Sequence, residues 1–295
     1  NFIIADKSIK EYSILNKISK SRRLKLLNAD KIFNEIKNLS LPLVGSFQIR
    51  NLSKAILAAK LCNLSNKNIQ KTIKGIKNVE GRLNLIKEYP NNIKVFIDYA
   101  HTPDALNTVL KSLKNSNANS ISLVFGCGGE RDFKKRSIMA KIAKSFCKKI
   151  YVTDDNPRKE NPKKIRKDIT KSLTGSLFFD IENRSKAIKE AIIRAEPNET
   201  ILVAGKGHED CQDYGNKIIK ISDKEIIKKI GIVKKKINRK KENFFFNSKI
   251  LNKIFKNIKF YKVNGLSIDS RTVKKDNLFL AIKGKNNDGN KFIAH

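Results

Sequence analysis

Four short polar motifs carry the residues of this sequence that could do chemistry. They are DYAHTPDA at 98–105, GCGGERD at 126–132, DDNPR at 154–158 and GKGHED at 205–210. Glycines let a backbone approach a ligand closely, and arginine offers a planar fork of donors to a carboxylate or phosphate. An acid and an imidazole beside a helix start suit a phosphate-bearing ligand. Each motif alone is also typical of a surface turn, and GKG lacks the GxxxxGK[ST] spacing of a phosphate loop.

The elements around the motifs predict an α/β domain. Apolar runs predict strands, and amphipathic stretches between them predict helices, one of them capped by Thr102 and another with Ile138, Ile142 and Phe146 on one face. The predicted strands are 94–99, 121–125, 149–153, 177–181 and 200–204. Such alternation favours a mostly parallel sheet, whose ligands bind beyond the carboxyl ends of its strands. The four motifs follow strand ends, so we expect them to form one site.

The flanking segments are less regular. Residues 1–44 are predicted to be irregular apart from a short strand at 24–27, and GSFQIRN at 45–51 is predicted to precede a helix with Leu52 and Ile56 on one face. Ser222 and Glu225 predict a capping box for a last helix. Lysine-rich residues 234–241 predict a linker. Apolar runs at 266–271 and 278–282 predict strands of a further domain.

Composition sets limits on function. The net charge of +35 favours either nucleic-acid binding or a drift towards Lys, Asn and Ile, which AT-rich codons encode. The lysines are scattered over the predicted helices and form no stripe, so drift is the preferred interpretation. The four cysteines form no CxxC pair, which argues against a zinc site and fits reduced thiols. No apolar run approaches the ~20 residues of a membrane span, and a cytoplasmic location is expected.

Taken together and in this order, the motifs resemble the carboxy-terminal domain of the Mur ligases, a Rossmann-like fold, and within them the MurE-type ligases. The resemblance runs from about Leu43 to Ile230. It implies an ATP-dependent ligase of peptidoglycan synthesis. Such an enzyme adds meso-diaminopimelate to UDP-N-acetylmuramoyl-L-alanyl-D-glutamate through an acyl phosphate, with ATP and Mg²⁺ as cofactors.

The resemblance also implies roles for individual residues. Arg158 and Asn156 would bind the distal carboxylate of diaminopimelate, and Glu209 would bind an ammonium. The full set implied for this substrate is Arg131, Asp155, Asn156, Pro157, Arg158, Gly205 and Glu209. The set implied for the nucleotide is Asn51, Arg82, Asp98 and His101. Ser46 and Gln48 depart from the family pattern GRFNVxN, which puts their nucleotide contacts in doubt.

The same resemblance implies a domain order. Residues 1–80 would end a central ATPase domain, 81–233 would form the carboxy-terminal domain, and 234–247 would be a basic linker. Residues 248–295 resemble the start of a MurF-type ligase, with Ser270 and Arg271 expected to bind its uridine nucleotide. A covalent MurE–MurF fusion is therefore expected. The family's P-loop and magnesium-binding lysine would lie upstream, so we expect this chain alone to be inactive.

Two alternatives remain at this point. A basic nucleic-acid-binding protein would explain the charge, but it predicts lysines clustered with stacking aromatic residues. Another Mur ligase or a folylpolyglutamate ligase would share the fold, but DNPR and GKGHED argue against it. The expected partners are therefore the UDP-linked muramoyl dipeptide and diaminopimelate, without a specific nucleic acid or a membrane span.

The preferred interpretation of the charge is testable by DNA binding. If the charge is compositional drift, duplex DNA should bind weakly, with strong dependence on salt and none on base sequence, because counterion release then supplies the affinity. Fluorescence anisotropy with two unrelated duplexes over a salt series measures this. Nanomolar binding to one duplex at physiological salt would favour the nucleic-acid alternative.

Overall fold

The computed structural model describes residues 1–116, 118, 120–231, 265–267 and 277–279. The chain divides into two compact units, Asn1–Val233 and Lys234–His295. No helix in the described part is long and apolar enough to cross a lipid bilayer.

The first 44 residues are more regular than predicted. They form β1 (Phe2–Ala5), α1 (Tyr12–Ser21), β2 (Lys25–Asn28) and α2 (Asp30–Ile36). The two strands pair in parallel, so the prediction of an irregular segment was wrong, although the strand predicted at 24–27 is confirmed within one residue. Strands of four residues are too short for their alternation of side chains to be recognised in a lysine-rich sequence.

Two further helices complete the amino-terminal part of this unit. They are α3 (Ser46–Leu61) and α4 (Asn66–Lys74). Helix α3 begins at Ser46, so the motif at 45–51 forms its first turns. The prediction that this motif precedes the helix was therefore wrong. Ile49 and Ile56 of α3 pack with Ile32, Ile36 and Ile69 in a hydrophobic cluster of their own.

A six-stranded sheet forms the centre of the unit, in the order β3-β4-β8-β5-β6-β7. Its strands are β3 (Asn84–Tyr89), β4 (Ile93–Asp98), β5 (Ser120–Phe125), β6 (Lys149–Val152), β7 (Leu177–Asp180) and β8 (Glu199–Ala204). Every neighbouring pair is parallel except β3 with β4. The predicted mostly parallel α/β fold is therefore confirmed, and β3 is an antiparallel edge strand that the sequence analysis missed.

Helices cover both faces of the sheet. They are α5 (Pro103–Asn115), α6 (Lys134–Phe146), α7 (Pro162–Thr170), α8 (Arg184–Ile193) and α9 (Asp223–Lys229). Phe96 faces a core formed with α5, α6 and α7, whereas its neighbours Val95 and Ile97 face a core formed with α8 and α9. This alternation is the period of two that a strand buried on both faces requires.

Helix caps fix where two of these helices begin. The Thr102 side chain accepts a hydrogen bond from the Ala105 amide, with Pro103 in the first turn, and the Ser222 side chain accepts one from the Glu225 amide. Both predicted amino-terminal caps are therefore confirmed. Each satisfies an amide that has no partner within the helix.

The buried face of α6 differs from the predicted one. Ile138 is 46% exposed, whereas Met139, Ala140 and Ala143 are buried. Arg136 lies on the buried side as well, because its guanidinium pairs with Glu160 and Asp168. The predicted face is confirmed for Ile142 and Phe146, which pack against the core, and wrong for Ile138. A charged residue on the core side disguises the apolar stripe.

A short hairpin follows β8 and was not predicted. It consists of β9 (Cys211–Asp213) and β10 (Ile218–Lys220), which pair antiparallel. The Gln212 amide of β9 donates to the backbone carbonyls of Asp154 at 3.0 Å and Asp155 at 2.8 Å. The hairpin therefore holds the DDNPR loop in place.

In the second unit the structure describes β11 (Gly265–Ser267) and β12 (Asn277–Phe279), which pair in parallel. Each overlaps the first two residues of a run predicted as a strand, at 266–271 and at 278–282. The predicted basic linker at 234–247, and Ser270 and Arg271, lie outside the described residues. The predicted boundary near residue 80 and the assignment of residues 248–295 stay predictions.

A fully buried ion pair anchors α8 to the start of α9. The Arg184 guanidinium contacts the Asp223 carboxylate at 2.8 and 2.7 Å, and it also donates to the Ala204 carbonyl at 3.0 Å. Neither side chain is exposed to solvent. Removing one partner would leave an uncompensated charge in the core.

Asp223→Ala should therefore lower the free energy of unfolding by about 3 kcal/mol or more. Urea denaturation followed by circular dichroism measures the loss. The matched control is Glu80→Gln, which removes the exposed ion pair with Lys224 and should cost at most about 1 kcal/mol. Equal, small losses in both variants would show that the buried pair does not anchor α9.

Candidate functional site

The four polar motifs converge at the carboxyl edge of the central sheet. Asp98 at the end of β4 lies opposite Ala204 at the end of β8, and Phe125 of β5 lies opposite Val152 of β6. The loop after each strand carries one motif. The prediction that these loops meet at one edge is confirmed, and the roles of their side chains are a separate question.

Glycines bring the loop after β5 against the loop after β6. A Cβ atom on Gly126 would lie 2.2 Å from the Thr153 carbonyl oxygen, and one on Gly129 would lie 2.0 Å from the Pro157 carbonyl oxygen. The Gly129 amide donates to the Asn156 carbonyl at 2.9 Å. Only glycine fits at these two positions, so the backbones of the two loops form a single wall.

The Asn156 side chain is the centre of the hydrogen-bond network. Its Oδ1 accepts from Lys206 Nζ and from the Asp213 amide, each at 3.1 Å, and its Nδ2 donates to Glu209 Oε2 at 3.1 Å. Two donors at Oδ1 and an acceptor at Nδ2 fix the orientation of the amide group. One Nδ2 hydrogen remains for another partner.

Lys206 is a site residue that the sequence analysis missed. Its side chain is 0% exposed, and Nζ donates to Glu209 Oε2 at 2.9 Å as well as to Asn156. In the sequence, GKG resembles half of a phosphate loop, in which the lysine faces the ligand. Nothing in that pattern indicates a lysine that points inward to a neighbouring loop.

Glu209 is an ionised carboxylate at the edge of this network. Burial raises its pKa, but the Lys206 ammonium and the Asn156 amide outweigh burial and hold the pKa below its usual range. Its side chain remains 29% exposed. Burial also raises the pKa of the neighbouring Tyr99 hydroxyl, and the Glu209 carboxylate raises it further. Glu209 can therefore accept a cationic ligand group at neutral pH.

Arg158 lies on the other side of Asn156. Its backbone adopts a left-handed conformation with φ of 54°, and its amide donates to the Asp213 carbonyl at 2.9 Å. Its Nη1 donates to the Gly129 carbonyl at 2.8 Å, and its side chain is 26% exposed. The loop conformation thus aims a partly exposed guanidinium at the wall formed by the two glycine-rich loops.

Asp155 and Gly205 lie beneath this surface. Asp155 Oδ1 accepts from the Asn156 amide at 2.8 Å, while its buried Oδ2 accepts no hydrogen bond from the described residues. Gly205 has a φ of 111°, and a Cβ atom there would lie 2.6 Å from Asp155 Oδ2. Pro157 is buried in the same turn, and Arg131 is exposed on the far side of Gly128.

The predicted nucleotide-binding residues divide into two groups. Both carboxylate oxygens of Asp98 accept from backbone amides, Leu83 at 2.6 Å and Ala100 at 2.7 Å. Burial raises the pKa of Asp98, and the two hydrogen bonds lower it by less. This geometry gives Asp98 a structural role. Arg82, His101 and Asn51, by contrast, are exposed.

An aromatic and cationic surface lies next to Asp98. The Arg82 guanidinium lies 4.9 Å from the Tyr99 ring centre, and His101 packs edge-on against the same ring. The Arg82 carbonyl accepts from Gln48 of α3 at 3.1 Å, one helical turn before Asn51. Among the described residues, no group of three His, Cys, Asp or Glu side chains gathers as a metal site would require.

Comparisons with known proteins show which proteins this chain is similar to. The family model described as "Mur ligase, glutamate ligase domain" matches residues 81–207. The UDP-N-acetylmuramoyl-L-alanyl-D-glutamate–2,6-diaminopimelate ligase of Rickettsia conorii is 40% identical over 209 residues, covering 70% of this chain and 43% of the relative. The ligase of the same name from Prochlorococcus marinus is 40% identical over 199 residues, covering 65% and 39%.

A solved structure of a ligase of that name is also similar. It has a TM-score of 0.50 and 26% sequence identity, and the match covers 77% of this chain and 52% of that one. The chain thus spans less than half the length of the two curated relatives. The family match includes the six strands of the central sheet and the first three motifs, and it ends within the fourth motif, at residue 207.

The close approach of Gly205 to Asp155 makes a sharp test of the site's geometry. Gly205→Ala should destabilise the chain by more than the about 1 kcal/mol that a left-handed alanine costs, because its Cβ would also displace Asp155. The matched control is Gly175→Ala. Gly175 also has a positive φ, of 77°, but a Cβ atom there would meet only the Lys144 ammonium, at 4.0 Å.

Thermal unfolding of both variants and the side-chain amide resonances of Asn156 measure the two effects. We expect Gly175→Ala to leave the Asn156 resonances unchanged and Gly205→Ala to shift them. Equal destabilisation with unshifted resonances in both variants would contradict the close contact.

Proposed function

We infer that this chain, which belongs to the Mur ligase family through residues 81–207, binds meso-diaminopimelate as the amino-acid substrate of an amide-forming ligase. The relatives at 40% identity are named as 2,6-diaminopimelate ligases. Diaminopimelate has an amino group and a carboxylate at each end. One amine must react, so the other end must be held as a zwitterion.

The observation that carries the proposal is the arrangement of opposite charges around Asn156. Arg158 Nη1 lies 3.4 Å from the Asn156 backbone oxygen, and Glu209 Oε2 lies 3.1 Å from the Asn156 side-chain nitrogen. A partly exposed guanidinium at the backbone and a partly exposed carboxylate at the side chain thus both contact Asn156. A zwitterionic end fits this pattern, with its carboxylate at Arg158 and its ammonium at Glu209.

The same arrangement explains selection against lysine. The distal end of lysine has an ammonium but no carboxylate, so Arg158 would lose its partner while its remaining contacts stay. Sites that hold a buried or partly buried polar group for one substrate discriminate strongly against an analogue that cannot pair with it. Asn156 and Pro157 would act here by fixing the loop that carries Arg158, and Gly205 by admitting the ligand near Asp155.

ATP is the proposed energy source, and we assign part of its binding surface to this chain. Arg82, His101 and the Tyr99 ring between them offer stacking and cationic contacts to a nucleotide, and Asn51 lies one turn beyond the Gln48 contact with the Arg82 carbonyl. Asp98 would support this surface by accepting hydrogen bonds from the Leu83 and Ala100 amides. Mg²⁺ would neutralise phosphate charge when bound, and we assign it to none of the described residues.

For the whole reaction we propose amide formation between diaminopimelate and a UDP-N-acetylmuramoyl dipeptide in the cytoplasm. The proposal rests on the names of the relatives, of which this chain covers less than half. Within this reaction the chain's own residues would bind and orient the amino acid, Arg131 among them. A second, MurF-type ligase starting near residue 248, with Ser270 and Arg271 at its uridine nucleotide, remains part of the proposal.

Binding of meso-diaminopimelate tests the proposed function directly. Isothermal titration should show binding to the chain, and Arg158→Ala should weaken it by about 2 kcal/mol, about thirtyfold in Kd, because one charged contact is lost. The matched control is Lys159→Ala, which removes the same charge from the exposed neighbouring residue.

Lys159→Ala should change the dissociation constant little, since an exposed charge contributes weakly. The proposed function fails if the wild-type chain binds no diaminopimelate, or if both alanine variants weaken binding equally.

A further inference from the structure

Lys206 is placed in the interior of the site by its two neighbouring glycines. Gly205 and Gly207 have φ values of 111° and 55°. A Cβ atom on Gly207 would lie 2.9 Å from the Tyr99 Cβ atom. The backbone therefore passes tightly between β4 and the DDNPR loop, and the lysine side chain, with 0% exposure, turns inward.

The buried ammonium joins two loops that come from different strands. It donates to Asn156 Oδ1 at 3.1 Å and to Glu209 Oε2 at 2.9 Å. Lysine has three donors and no acceptor, and two of those donors are accounted for by these contacts. Asn156, in the loop that carries Arg158, and Glu209 are thereby held relative to each other by a residue that does not face solvent.

Lys206 also determines the local charge. Among the described residues it is the one cation in ion-pair contact with Glu209. Arg184, the other fully buried cation nearby, forms its ion pair with Asp223. Arg158 lies across Asn156 and makes its closest acidic contact with Asp213, at 4.0 Å. Without Lys206, the Glu209 carboxylate would keep hydrogen-bond donors but no cation in ion-pair contact among the described residues.

We propose that Lys206 is a specificity-determining positioning residue, whose ammonium holds Asn156 and Glu209 together and balances one carboxylate so that the pocket selects a zwitterionic end over a bare ammonium. The proposal rests on the function proposed above and deepens it. An ammonium carrying no carboxylate is attracted by an uncompensated Glu209, whereas a zwitterion brings its own negative charge and is disfavoured there. Lys206 would thus act through Glu209 without contacting the ligand.

Two ligands that differ only in carboxylates test this selectivity. meso-Diaminopimelate and 1,5-diaminopentane have the same chain and amines, but the second has no carboxylate. Titration calorimetry of the full chain gives the ratio of their dissociation constants for the wild type, Lys206→Met and Lys206→Arg. Lys206→Met should weaken diaminopimelate binding about tenfold or more and lower its preference over the diamine by a similar factor. Lys206→Arg, which keeps the charge, should keep most of the preference.

The ligand-free chain provides a second readout that does not depend on the proposed function. In ¹³C-detected titrations, the Glu209 carboxyl resonance should change at higher pH in Lys206→Met than in the wild type, and the Asn156 side-chain amide should shift. Lys206→Gln, which keeps a donor without the charge, replaces Lys206→Met if that variant does not fold.

The possible results separate the two claims. A wild-type chain that binds no diaminopimelate would overturn the proposed function and the selectivity with it. Wild-type binding with an unchanged ratio of dissociation constants in the neutral variant would overturn the role of Lys206 alone. A lowered ratio, together with the displaced Glu209 titration, would support both.

Discussion

The contact of the buried Lys206 ammonium with Asn156 and Glu209 is the interaction on which the site depends. Its 3.1 Å contact with Asn156 ties the loop after β8 to the loop after β6, although β5 lies between those two strands in the sheet. Its 2.9 Å contact with Glu209 lies within the loop after β8. A buried lysine is stable only when its donors are satisfied and its charge is balanced. The network therefore fixes both the geometry of the pocket and the ionised state of its carboxylate.

The rest of the fold supplies the closeness that this contact needs. Parallel strands bring four loops to one edge, and Gly126 and Gly129 let two of the loops touch backbone to backbone. The β9–β10 hairpin holds the DDNPR loop from outside through Gln212. Below the sheet edge, the Arg184–Asp223 pair secures α9 and the Ala204 carbonyl. The glycine contacts, the hairpin and the ion pair each restrain the loops of the site or the elements next to them, and such restraint preorganises a binding site.

Much of this could be predicted from the sequence, and the failures have physical causes. The five parallel strands of the central sheet and the convergence of the four motifs followed from periodicity and from the rules of parallel sheets, and the caps at Thr102 and Ser222 followed from residue type. Lys206 was missed because a sequence motif gives the types of its residues but not the direction in which a side chain points. The predicted α6 face was wrong at Ile138 because a paired Arg136 lies on the buried side and disguises the apolar stripe. Short elements, such as β9, carry too few residues for any period to be recognised.

A crystal structure of the chain grown with meso-diaminopimelate tests the central claim most directly. The account predicts one end of the ligand at the carboxyl edge of the sheet, with its carboxylate at Arg158, its ammonium at Glu209, and Lys206 still bonded to Asn156 behind them. A ligand bound at saturation elsewhere on the chain, or with its ends reversed so that an ammonium faces Arg158, would contradict the account.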